Sequence, residues 1–185
     1  MTDSSGRWAS PRLDGEVLVK PGEGGEPIGS YSDPFNGHFD GQGYTIANLT
    51  INRPEQDYVG LFGALQGALV ENLTLAGADI SGHEKAGSLA GSALSAVIEH
   101  CTTGGEVMGC RYVGSLLGHL DSSSVISCSG CGEVRGSGQV GGLVGPSNYG
   151  TFIQCHAEGV VKAEDGWAEC ILCKYQQLLC NRRNH

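Results

Sequence analysis

A six-residue run, Val140-Gly-Gly-Leu-Val-Gly145, closes a series of four related runs. Tyr58-Val-Gly-Leu-Phe-Gly63, Ala86-Gly-Ser-Leu-Ala-Gly91 and Tyr112-Val-Gly-Ser-Leu-Leu-Gly118 precede it. Their leucines, Leu61, Leu89, Leu116 and Leu143, lie 28, 27 and 27 residues apart. Recurrence at a fixed period of this length marks an array of stacked units, which constrains the fold before any local propensity does. Two further segments keep the same phase. One is Val70-Glu-Asn-Leu73, Ile98-Glu-His-Cys101, Val125-Ile-Ser-Cys128 and Phe152-Ile-Gln-Cys155; the other is centred on Ile80, Val107, Val134 and Val161, each 27 residues apart.

These segments are too short for helices. The 31 glycines, more than twice the usual share, would each cost about 1 kcal/mol in a helix interior. Three short strands per winding predict an all-β chain, a right-handed parallel β-helix of about four to five coils with a period of about 27 residues. Strands of successive coils then pair in parallel roughly 4.8 Å apart, and residues matching in phase become inward rows. Each fully buried side chain in such a row contributes about 1.5–3 kcal/mol. The rows are headed by Leu61, Val70, Leu73 and Ile80. Residues 1–33, rich in Gly, Pro, Ser and acids, read as an irregular N-terminal cap with one short strand at Val17-Leu18-Val19. Residues 34–165 carry the repeats, with Phe39-Asp-Gly-Gln-Gly43 as the turn of the first coil. Residues 166–185 leave the repeat. They read either as a cap with a short helix over Trp167–Leu179, or as a foreign continuation.

Composition narrows function mainly by exclusion. A net charge of -9, from 11 basic and 20 acidic residues, argues against nucleic-acid binding, which needs clustered Lys and Arg. No apolar run reaches membrane-span length. The N-terminus lacks the charged and apolar regions of a signal peptide. Eight cysteines suggest a disulfide framework at first sight. Cys101, Cys128 and Cys155, however, are 27 apart and read as small buried residues stacked coil on coil.

On these residues the chain resembles GLUG-motif repeat proteins, whose units read Val-Gly-Gly-Leu-Val-Gly, then Ile-x-Asn-Cys, then a Val-x-Gly strand. The resemblance covers about residues 35–163 and is closest at Tyr58–Gly63, Ile98–Gly105 and Val140–Gly145. The opening Gly37-His-Phe-Asp-Gly-Gln-Gly-Tyr-Thr-Ile46 resembles the usual first coil of such domains. The chain departs at Ser88 and Ser115, where glycine is typical. It departs again at His100, Ser127 and Gln154, where only Asn72 keeps the asparagine. The resemblance implies a parallel β-helix displayed on the bacterial surface, in adhesin-like chains or the non-catalytic regions of some immunoglobulin A peptidases.

Candidate chemistry is sparse. Asp79, Glu106 and Glu133 precede Ile80, Val107 and Val134, so if those point in, the acids form an outward row about 4.8 Å apart. Like charges that close invite a cation such as Ca2+ or raise pKa values. Paired carboxylates at about 5 Å also serve glycoside hydrolysis. The plainer alternative is a solvated acidic face relieved by Arg135 and Lys162. Cys128-x-x-Cys131 and Cys170-x-x-Cys173 have zinc spacing, though Cys128 belongs to an inward row. Gly136-Ser-Gly-Gln-Val-Gly141 fits a dinucleotide fingerprint but is followed by the next repeat rather than a helix. Asn48-Leu-Thr50 and Asn72-Leu-Thr74 match a glycosylation acceptor and recur at similar strand positions. No zinc-protease or nucleophile-elbow motif is present.

The expectation is therefore a non-enzymatic structural or binding module of a bacterial surface or secreted adhesin-like protein, without a resident cofactor. Its flat faces would meet a glycan or a host or cell-surface protein. The alternative is a carbohydrate-active β-helix enzyme using Asp79, Glu106, Glu133 and Arg135. Ice binding would require regular threonine rows, which are absent from the sequence.

Overall fold

The computed structural model describes residues 24–164 together with the strands Ala168–Glu169 and Cys173–Cys180. The Val17–Val19 strand expected from the sequence lies outside the described residues. The chain is all-β; the described residues contain no helix. Short strands wind into a parallel β-solenoid whose repeat length is the 27-residue period of the sequence.

A full winding crosses four sheets in order. The first sheet stacks His38–Asp40, Leu69–Glu71, Val97–Glu99, Ser124–Ile126 and Thr151–Ile153. The second stacks Thr45–Ala47 and Thr50–Asn52, then Thr74–Ser81, Thr102–Met108, Ser129–Gly136, His156–Ala163 and Cys173–Cys180. The third holds Glu84–Ala86, Arg111–Gly114, Val140–Gly141 and Ala168–Glu169. The fourth holds Phe62–Gln66, Ala90–Leu94, Leu117–Asp121 and Ser147–Asn148.

The expected three strands per winding are thus four. The Val-Gly-Ser-Leu-Leu-Gly run is not one strand but two, joined by a sharp corner at Ser115-Leu116. That corner explains the run's final glycine. A Cβ on Gly118 would lie 2.5 Å from the backbone carbon of Lys85 in the preceding winding. The residues at that place, Tyr58, Lys85 and Tyr112, all hold φ 60 and fold back over the glycine row.

A second set of corners follows the first sheet. Asn72, His100, Ser127 and Gln154 take φ 55, 50, 51 and 52. This left-handed region costs an L-residue about 1–2 kcal/mol, and asparagine tolerates it best after glycine. Asn72 at this corner therefore serves the backbone. Gln154→Asn is expected to stabilise the chain by about 0.5 kcal/mol, read as a higher urea midpoint at unchanged slope.

The 28-residue spacing has a structural counterpart. Val59 pairs with Ala86, 27 residues on, yet Phe62 pairs with Ala90, 28 on. The later winding carries one more residue at its Ser88 corner. The register returns to 27 between Leu75↔Thr103 and Ala78↔Gly105, where a bulge at Ala76-Gly77 takes up the extra residue.

The predicted rows are in contact. Val70, Ile98, Val125 and Phe152 pair in succession, as do Ile51, Ile80, Val107, Val134 and Val161. One core cluster holds the Leu89, Leu116 and Leu143 row with Cys101 and Cys128; the other follows Ile80. In the second sheet, Gly105, Gly132 and Gly159 stack at φ 130, 124 and 140.

The helix expected over Trp167–Leu179 is not formed; Ala168–Glu169 and Cys173–Cys180 are strands. The second of these pairs in parallel with His156–Ala163. An exposed edge of unpaired N–H and C=O groups recruits a strand, and that pairing outweighs the segment's own helical tendency.

Candidate functional site

The second sheet carries the candidate carboxylates on its outer face. Asp79, Glu106 and Glu133 are consecutive register partners, with Thr50 before them and Val160 after. The row is not bare. Arg135 Nε lies 3.1 Å from Glu106 Oε1 and 2.9 Å from Glu133 Oε1, and Lys162 Nζ also contacts Glu133. These cations come from the neighbouring row, where Met108, Arg135 and Lys162 are paired. Lys162, then Arg135, hold the Glu133 carboxyl below the usual carboxylate range. A guanidinium between two carboxylates occupies the place a divalent ion would take. Among the described residues, no three His, Cys, Asp or Glu side chains cluster at ligating distance.

Beside the acids runs a feature the linear sequence concealed. Thr45, Thr74, Thr102 and Ser129 are register partners, and Thr102 Oγ1 lies 3.1 Å from Ser129 Oγ. This hydroxyl row corrects the reading that threonines do not align. The spacings 29, 28 and 27 hid it: the first winding pairs with the second at an offset of 29, and the second with the third at 28 until the bulge.

A third row follows the corner before the fourth sheet. Tyr31 stacks on Tyr58 with centroids 5.0 Å apart at 27°. Lys85 Nζ sits 4.4 Å from the centre of the Tyr58 ring and donates to its hydroxyl at 2.8 Å. Both faces of Tyr58 are thus covered within the molecule, which makes this row a structural ladder. Nearby, burial reinforced by the Lys85 charge pushes the His119 imidazole below its ordinary value. Arg111 with Glu84, and His83 with Asp57, continue the pattern of pairs between windings.

The cysteine row lies inside. Cys101 Sγ donates to the Glu99 carbonyl at 3.2 Å, and Cys128 Sγ to that of Ile126 at 3.2 Å. Contact with Cys101, then burial, pushes the Cys128 thiol up; burial does the same to Cys155. Cys131 is exposed on the strand Ser129–Gly136, whereas Cys128, just before that strand, is buried in the core. The two cannot share a metal ion. The side chains of Cys170, Cys173 and Cys180 lie outside the described residues. Reactivity follows thiolate character and access. Iodoacetamide is therefore expected to label Cys110 and Cys131 in the native protein, with Cys101 and Cys128 at least about 100-fold slower until denaturant is added, by peptide mass mapping.

The Gly136–Gly141 run joins two strands, Ser129–Gly136 and Val140–Gly141, so no helix N-terminus awaits a phosphate. Asn48 and Asn72 of the two acceptor sequences hold φ 56 and 55, which gives their recurrence a backbone cause. A small concavity with room for about one water has Ser115, Gly132 and Gly142 in its wall and one titratable side chain, Glu158.

No family model matches the chain. It is 42% identical over 87 residues to halomucin of Haloquadratum walsbyi, a match covering 45% of this chain and 1% of that protein. It is 43% identical over 67 residues to a "Putative Gly-rich membrane protein" of Evansella cellulosilytica, covering 35% of this chain and 8% of that protein. The chain thus spans a small fraction of the relatives it matches. Among solved structures, a "putative immunoglobulin A1 protease" from Bacteroides ovatus aligns over 76% of this chain and 51% of its own, with 17% identity and a TM-score of 0.46. At that score the likeness carries no argument.

Proposed function

We propose that this chain is a non-enzymatic, GLUG-like β-solenoid module of a surface-displayed or secreted adhesin-like protein, presenting flat sheet faces to a glycan or protein partner. One observation carries the reading. From Phe62 to Ala163 no connection between consecutive strands exceeds five residues. Active sites draw their converging groups from loops and clefts on a rigid scaffold. Connections this short leave flat faces, and the outward carboxylates Glu84, Glu106 and Glu133 pair with cations of the next winding. The names of the two relatives, a halomucin and a Gly-rich membrane protein, support a place at the cell envelope or outside it.

The test is paired. Purified chain is applied to glycan and matrix-protein arrays, with calcium and with chelator, and is incubated with uronate polymers and neutral polysaccharides. The reading expects saturable binding without new chain ends; calcium dependence would add the Asp79–Glu106–Glu133 row as a cation site. Polysaccharide cleavage abolished by Glu106→Gln would replace it with an enzyme, and silence on both arrays would remove the adhesin role.

A further inference from the structure

Among the described residues, the last winding is uneven. The third sheet closes with Ala168–Glu169 and the second with Cys173–Cys180, one winding beyond Val140–Gly141 and His156–Ala163. Earlier windings place strands of the fourth and first sheets between those two positions. Only three residues separate Glu169 from Cys173 in the sequence, and no described strand of the fourth or first sheet follows Thr151–Ile153. Ser147–Asn148 and Thr151–Ile153 are therefore the terminal strands of their sheets, paired on one side only among the described residues.

Exposed edges are ordinarily guarded by charge, and the two described strands of this edge carry none. From Gly136 to Ala157 the chain has no Lys, Arg, Asp or Glu. The outward row of the first sheet changes character toward this end: Asp40, Glu71 and Glu99 give way to Ile126 and Ile153. Tyr149 is 89% exposed and Ile153 47% exposed, both at the edge itself.

We infer that this edge pairs with the same edge of a second copy of the chain, tail to tail. The occupant follows from charge. A chain of net charge -9 repels its own copies wherever acidic rows face out. The uncharged stretch allows close approach, and a two-fold contact sets it against itself, Tyr149 and Ile153 included. Head-to-tail stacking would instead seat it on the His38–Asp40 strand, whose outward row is acidic. A two-fold contact also closes, leaving no free edge to propagate.

Light scattering after size exclusion in reducing buffer, over a range of concentrations, reads the result. The wild-type chain is expected to reach twice its monomer mass and stop. Tyr149→Asp and Ile153→Lys, made separately, are expected to shift it to monomer, the dissociation constant rising at least about tenfold. Tyr149 is almost fully exposed, so its variant should keep the circular dichroism and melting temperature of the parent. A monomer at every concentration, a dimer indifferent to both charges, or species growing past the dimer would each overturn the inference.

Discussion

Gly132→Ala is expected to cost about 4 kcal/mol or more, a large share of the roughly 5–15 kcal/mol by which an ordinary domain is stable. Gly132 holds φ +124, which L-residues rarely adopt, and a Cβ there would lie 1.9 Å from the carbonyl oxygen of Gly105. Relief is blocked from both sides. Gly105 itself would meet Ala78 O at 2.0 Å and Gly159 would meet Gly132 O at 1.9 Å, so the column cannot spread at one level without parting the next. Gly104→Ala is the control on the adjacent position. Its Cβ meets first the Cys131 sulfur at 3.0 Å, a movable side chain, and the cost should stay below about 1 kcal/mol. Urea melts followed by circular dichroism separate the two. Equal, mild effects would mean that the windings do not sit as close as described.

Phe62→Ala should be nearly as damaging, about 3–5 kcal/mol. Phe62 is fully buried and joins the first winding to the second. Its ring lies 5.0 Å from that of Phe35 and 5.4 Å, edge-on, from that of Phe39. Those aromatic pairs add about 0.5–1.5 kcal/mol each beyond buried area. In a stacked array each unit leans only on its neighbours, so the first winding should loosen before the rest. Chymotrypsin is expected to cut after Phe35 and Phe39, half-buried against Phe62, in the variant under conditions that spare those bonds in the parent. Cutting spread evenly along the chain would contradict that local order.

Much of this was legible in the sequence because inward rows obey the period. Leu89, Leu116 and Leu143, or Ile98 and Val125, need only be aligned in phase to become neighbours. Corners were less legible. Nothing in Val113-Gly-Ser-Leu-Leu-Gly118 says that a sheet ends in its middle; the reason is steric and lies one winding away, in the backbone of Lys85. The hydroxyl row escaped for a related cause, since the 29-residue offset of the first winding and the one-residue slip at Ser88 moved Thr45, Thr74 and Thr102 out of simple phase. The tail misled because Lys174, Gln176, Gln177 and Leu178 suit a helix in isolation. Their pairing with His156–Ala163 is set by an open edge that local propensity does not register. The carboxylate row was foreseen as a line of charge, whereas the insertion of Arg135 between two of its members required the register itself.

The slip at Ser88 and its recovery at Gly77 have a consequence for how such a chain can change length. A single-residue insertion is absorbed at a bend and leaves the faces of the next winding where they were. A whole added repeat would move the two ends apart by about 4.8 Å and alter no face at all. Reach is thus a quantity this architecture can adjust in uniform steps, independent of what its surface holds.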